Sequence, residues 1–173
     1  MRNKKSMGLR AIWDSIRYYR QDKKRFADLG TEEEAAKLFN YLQECYVQHY
    51  GLIPTELEDE EDKALPLQAA YAVQGHNPDF VQNFYAGIIA IEKIGLQVKA
   101  QWQIGLEAAL QWGKGKVLGQ YLCVDFQYDE EATTYSGRVL YKRVGNSLVG
   151  FWMEPKIASV GFERLVEMEE SFS

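Results

Sequence analysis

Two periodicities divide the chain. Leu9, Ile12, Trp13, Ile16, Tyr19 and Phe26 recur at steps of three, four and seven, so at 100° per residue they share one side and predict an amphipathic helix. Gly30 is expected to end this helix in the left-handed conformation. Thr31 and Glu34 then have the spacing of a capping box, and Ala35, Leu38, Phe39, Leu42, Cys45, Tyr46 and His49 continue as a second stripe up to Gly51. The short connection predicts a helical hairpin over residues 1–53. Pro54, the acidic run Glu56 to Asp62 and Pro66 read as a linker over 54–66, because like charges repel and proline disfavours a helix interior. From residue 67 the period drops to two, which predicts an antiparallel β domain over 67–173.

The β half matches itself at an offset of 50. Tyr71 aligns with Tyr121, Tyr85 with Tyr135, Gly87 with Gly137, Ile91 with Tyr141, Gly95 with Gly145 and Trp102 with Trp152. A 50-residue unit used twice is the expected reading. Strands are predicted near 67–74, 82–93, 96–104 and 106–112, and again near 117–127, 133–143, 147–154 and 158–168. The corners at Ile94-Gly95 and Gly145-Asn146 suit hairpins, which demand positive φ. Tyr135, Gly137, Val139 and Tyr141 alternate with Ser136, Arg138 and Lys142, so the matched set is expected to point inward. Eight such strands predict a barrel-like domain, with a two-sheet sandwich as the alternative. The fold class is thus α+β: a helical hairpin followed by an eight-stranded antiparallel β domain of two repeats.

The run Tyr71 to Asp79 (Tyr-x-Val-x-Gly-x-Asn-Pro-Asp), Tyr85-x-Gly87, a glycine-containing turn and Trp102 together resemble a repeated module of calycin-like bacterial proteins. Those proteins are mostly uncharacterised, and some are loosely labelled fibronectin-binding. The resemblance covers about residues 67–168 and implies a lipocalin-like barrel without a particular activity. It departs from the pattern after Asp79, where Phe80 and Val81 stand in place of Gly and Ser.

Charge changes the picture of the first helix. The net charge of −5 hides a basic start, in which nine Lys or Arg of residues 1–26 face only Asp14 and Asp22, and an acidic stretch at 27–62, where Lys37 is the only base. Arg10, Trp13, Arg17, Arg20 and Lys24 are therefore candidate partner-binding residues, directed at an acidic protein surface or, as a basic amphipathic face, at a membrane. Packing of that face on the second helix is the plainer reading. No apolar run is long enough to span a bilayer, which leads to an expected cytoplasmic location, peripheral to a membrane if the first helix binds one.

Candidate chemistry is sparse. His49 reads as a helix-end residue and His76 as a polar turn residue, so no histidine-rich metal site is expected. Cys45 and Cys123 read as buried thiols. Gly113 to Lys116 lacks the spacing of a phosphate loop and reads as a hairpin turn, and Asp125, Asp129, Glu130 and Glu131 read largely as a solvated turn. No catalytic constellation and no cofactor motif emerges, and the acidic balance argues against nucleic acid. Tyr71, Tyr85, Trp102, Tyr121, Tyr135, Tyr141 and Trp152 either fill the centre of the β domain or line a cavity for a small hydrophobic ligand. The leading expectation is a non-enzymatic interaction or assembly protein with a basic helical adaptor. The alternative is a small-ligand-binding protein that uses the barrel interior.

Overall fold

Alternation along each strand decides which side of the sheet a residue serves. Strands β1 (Ala70–His76), β2 (Phe84–Ile94), β3 (Gln97–Ile104), β4 (Ala109–Leu118), β5 (Tyr121–Glu130), β6 (Thr133–Val144), β7 (Ser147–Met153) and β8 (Gly161–Glu167) each pair antiparallel with the next. β8 then returns to β1, with Tyr71 opposite Glu167, and this closes a barrel rather than a sandwich. Helices α1 (Leu9–Arg25) and α2 (Glu32–Tyr50) precede it. The computed structural model describes residues 9–51, 70–79, 84–107, 109–155 and 157–168, so the expected acidic linker at 54–66 and the turn at Phe80 and Val81 lie outside the described residues.

Inward-facing Tyr71, Val73, Ile89, Ile91, Val98, Leu122, Val124, Leu148 and Leu165 form the barrel core. A second core lies on the outside of the barrel. Ala35, Leu38, Phe39, Leu42 and Tyr46 of α2 are buried against Tyr121, Leu140, Phe151, Met153 and Phe162, with the Phe39 ring 5.2 Å from that of Phe151. Each fully buried large side chain contributes roughly 1.5–3 kcal/mol relative to exposure, so α2 is held by its stripe rather than by helix propensity. That stripe is spent on the barrel. On α1, Leu9 and Trp13 remain 77% and 66% exposed.

The capping box forms as expected: Thr31 Oγ1 accepts from the Glu34 amide at 3.2 Å, and Glu34 accepts from the Thr31 amide at 3.1 Å. The end of α1 differs from expectation. Gly30 has no positive φ, and α1 stops at Arg25. In place of a glycine cap, the buried Arg138 guanidinium donates to the carbonyls of Arg25 (3.2 Å) and Ala27 (2.7 Å) while pairing with Asp125 at 2.7 Å. Arg25, also buried, donates to the carbonyls of Ile157 and Ala158. The two arginines fasten the end of α1 to the barrel by satisfying carbonyls that no helical turn follows.

Gly95 and Gly145 turn the β2–β3 and β6–β7 hairpins with φ of 64° and 58°. Gly113 and Gly115, expected in a turn, lie instead within β4, where a Cβ on Gly115 would stand 2.0 Å from the carbonyl oxygen of Cys123. The two halves share the register of two of their four pairings: Ile89 faces Trp102 as Val139 faces Trp152, and Gln97 faces Lys116 as Ser147 faces Val166. The β1–β2 and β5–β6 pairings break this rule. Tyr71 faces Ile89, but Tyr121 faces Lys142, three positions from Val139. An odd slip reverses a strand's faces, so Tyr121 sits outside, beneath the Phe39 ring of α2.

Candidate ligand-binding site

The barrel interior is filled at one end and hollow at the other. A cavity of about 270 Å³ opens at the end where β1, β3, β5 and β7 finish, close to the lower limit of ligand pockets. Its walls include Trp102, Phe126, Tyr128 and Trp152, and Glu163, fully enclosed, stands inside it.

Glycines make room for this arrangement. Glu163 is flanked across the sheet by Gly75 on β1 and Gly150 on β7. A Cβ at Gly75 would lie 1.9 Å from the Tyr85 ring, and one at Gly150 would lie 2.4 Å from the Tyr141 ring. Both tyrosine rings therefore lie flat over bare backbone and carry their hydroxyls to the carboxyl. Tyr141 donates a short hydrogen bond to Glu163 Oε2, and the Tyr85 hydroxyl and the Trp102 indole are polar neighbours that favour its charged form. Gly161 performs the same service for Trp152, whose ring would stand 1.9 Å from a Cβ there.

Electrostatics follow from enclosure. Burial raises the Glu163 pKa to about 7, against the pull of Tyr141, Trp102 and Tyr85, because a carboxylate in this setting loses more hydration than these neutral polar neighbours return. Burial and the adjacent Glu163 push both Tyr85 and Tyr141 well above the ordinary phenol range. Nearer the mouth, Glu154 accepts from the Tyr128 hydroxyl at 2.9 Å, and burial raises its pKa too. The Trp152 indole N–H lies beside the Tyr85 hydroxyl but completes no hydrogen bond of good geometry among the described residues. The rings of Trp102, Phe126, Tyr128 and Tyr135 run in sequence along one wall, with centroids 6.2, 6.4 and 5.3 Å apart.

Of the seven aromatics expected at a core or cavity, Tyr85, Trp102 and Trp152 line this cavity. Tyr141 reaches it through Glu163, Tyr135 is an exposed residue stacked on Tyr128, and Tyr71 is buried in the barrel core. Tyr121 is a correction, being outside the barrel for the register reason above. His76 is another: it ends β1 buried under α2, with Nδ1 2.8 Å from the Tyr46 hydroxyl, and burial lowers its pKa. His49 is exposed in the last turn of α2, Cys123 is a buried thiol raised to about 11, and Cys45 is half-buried. Asp125 stays exposed, as expected of a solvated acid, and also pairs with Arg138.

Arg10, Trp13, Arg17 and Arg20 are all exposed on α1, whereas Lys24 rests over the Tyr41 ring at 3.9 Å. Among the described residues, no helix is long and apolar enough to cross a membrane, and no cluster of His, Cys, Asp or Glu could hold a metal ion. The sequence reading missed Glu163 altogether. The signal was present: Gly161, Glu163 and Leu165 alternate in the inward phase of β8, so an acid was written into a core face. Neither a protein-family model nor a curated protein matches the chain.

Proposed function

We propose that this protein binds a small organic ligand inside the barrel. The observation that carries this reading is the cavity itself, hollow beside a buried carboxyl that the Tyr141 hydroxyl and two flanking glycines hold in place. A barrel that needed only to be stable would fill this end with apolar side chains, since an enclosed carboxyl costs free energy that a leucine would not. The eight-stranded closure is compatible with the ligand-binding barrels that the calycin-like resemblance implies. Calorimetric titration with small aromatic amines, alcohols and acids is expected to find at least one class that binds. Ile104→Trp, which places bulk at a half-buried wall position, should weaken that binding at least tenfold. A set in which nothing binds, or binding indifferent to Ile104→Trp, counts against the cavity as the site.

A second reading keeps the adaptor role for α1, and the exposure of Leu9 and Trp13 beside Arg10, Arg17 and Arg20 favours it. An acidic protein surface is the partner this charge pattern fits. Replacing the three arginines with Gln should leave thermal stability nearly unchanged and abolish salt-sensitive capture of an acidic partner, since surface attraction is screened over roughly 8–10 Å at physiological ionic strength. Capture that survives the triple change would remove these charges from the role.

The reading of the barrel as one unit used twice is supported by the shared register of β2–β4 and β6–β8. On that reading both copies line the cavity and one copy supplies its acids. Glu163 and Glu154 occupy the positions that Gly113 and Ile104 hold in the other.

A further inference from the structure

Resting on the ligand-binding reading, we infer that the ligand is an organic cation: a compact ammonium compound with an apolar or aromatic body. The described lining contains two carboxyl groups, Glu163 and Glu154, and no Lys, Arg or His. An anionic ligand would bring a third negative charge into an enclosed space without a counter-charge. A neutral one would leave the Glu163 carboxyl no better compensated than in the empty barrel. An ammonium group supplies the missing positive charge, and the faces of Trp102, Phe126, Tyr128 and Trp152 attract the same charge through their ring quadrupoles. A carboxylate has about four lone-pair positions, of which the Tyr141 hydrogen bond uses one, so room remains for a donor from the ligand. The unsatisfied Trp152 N–H can donate to a hydroxyl or carbonyl oxygen on the ligand body.

The groups around Glu163 determine the pH behaviour. Tyr85 faces it from β2, Tyr141 from β6 and Trp102 from β3, while the adjacent strands β1 and β7 present only Gly75 and Gly150. Both tyrosines are held neutral far above physiological pH, and Glu154 is the other acid in the cavity. Cation binding therefore requires loss of the Glu163 proton. Below about pH 7 each ligand bound should release close to one proton, and above it binding should become independent of pH.

The test compares benzylamine, benzyl alcohol and benzoate by calorimetry on the full chain, in buffers of different ionisation enthalpy. Benzylamine stays protonated throughout the range. It is expected to bind at least tenfold more tightly than the alcohol at pH 8, to lose about tenfold per pH unit below about pH 7, and to release a proton at pH 6. Glu163→Gln should erase the preference and the proton release. If the alcohol or benzoate binds as well as benzylamine, the cation inference falls and the cavity reading stands. If none of the three binds the unmodified protein, both fail. The comparison among probes needs no variant, so a poorly folded Glu163→Gln protein would not protect the inference.

Discussion

Trp102→Ala is expected to lower the free energy of unfolding by about 3–5 kcal/mol, and Trp152→Ala by no more than about 2 kcal/mol, although the two residues occupy equivalent register positions. Trp102 is 2% exposed and fills the barrel between Ile89 and the Phe126 ring, so its removal leaves a void that a closed sheet cannot collapse around. Trp152 is half-buried and already borders empty space. Trp102→Ala also removes a polar neighbour that favours ionised Glu163, so its effect should grow above pH 7. Urea unfolding monitored by far-ultraviolet circular dichroism, with unchanged m-values, measures both. Equal losses would mean that the hollow end is packed as tightly as the rest.

The stability difference between the wild-type protein and Glu163→Gln should shift by about 3 kcal/mol in favour of the variant between pH 4 and pH 8. The sign follows from where the proton sits. The carboxyl has a folded pKa of about 7 and an ordinary value of 4.5, so both states are protonated below the lower value and no penalty exists there. As pH rises from 4.5 to 7 the unfolded chain ionises while the folded one resists, and stability is lost at about 1.4 kcal/mol per pH unit. Other titrations occur in the same window. His76, with a lowered pKa, contributes stability that is present above its unfolded pKa and lost as pH falls through the folded one, which is the opposite slope. Taking the difference between the two proteins cancels His76, and a difference that stays flat with pH would show that Glu163 is ionised when buried.

Much of this architecture is legible in the amino-acid order because local rules and tertiary needs agree there. The α2 stripe, the Thr31–Glu34 box and the turns at Gly95 and Gly145 each depend on residues close in sequence. The first errors arise where distant groups intervene. Gly30 looked like a helix stop, but Arg138 performs that task from β6. Tyr121 looked equivalent to Tyr71, but the pairing of β5 with β6 is set three residues out of step, and a direct offset cannot register such a slip. The site was half legible. Its aromatics were named because bulk at matched positions is conspicuous, whereas Glu163 was overlooked as one acid among many on a charged chain. Only its inward phase, between Gly161 and Leu165, distinguished it from a surface residue.

Barrel closure also bears on the order in which this molecule is made. The strand that carries Glu163 is the last of the eight, and it must pair with the first, so the ends of the β sequence meet only when everything between them is in place. Contacts of such long range form slowly, because the entropy of ordering the intervening chain is spent before they reward it. Tyr85, Trp102 and Tyr141 are contributed by three strands well upstream of β8. A nascent chain therefore has no binding site in any partial form, and occupancy of the cavity reports a finished ring. A closed ring also has no free strand edge to recruit another chain by backbone pairing, which leaves partners the helices, the loops and the outer side chains.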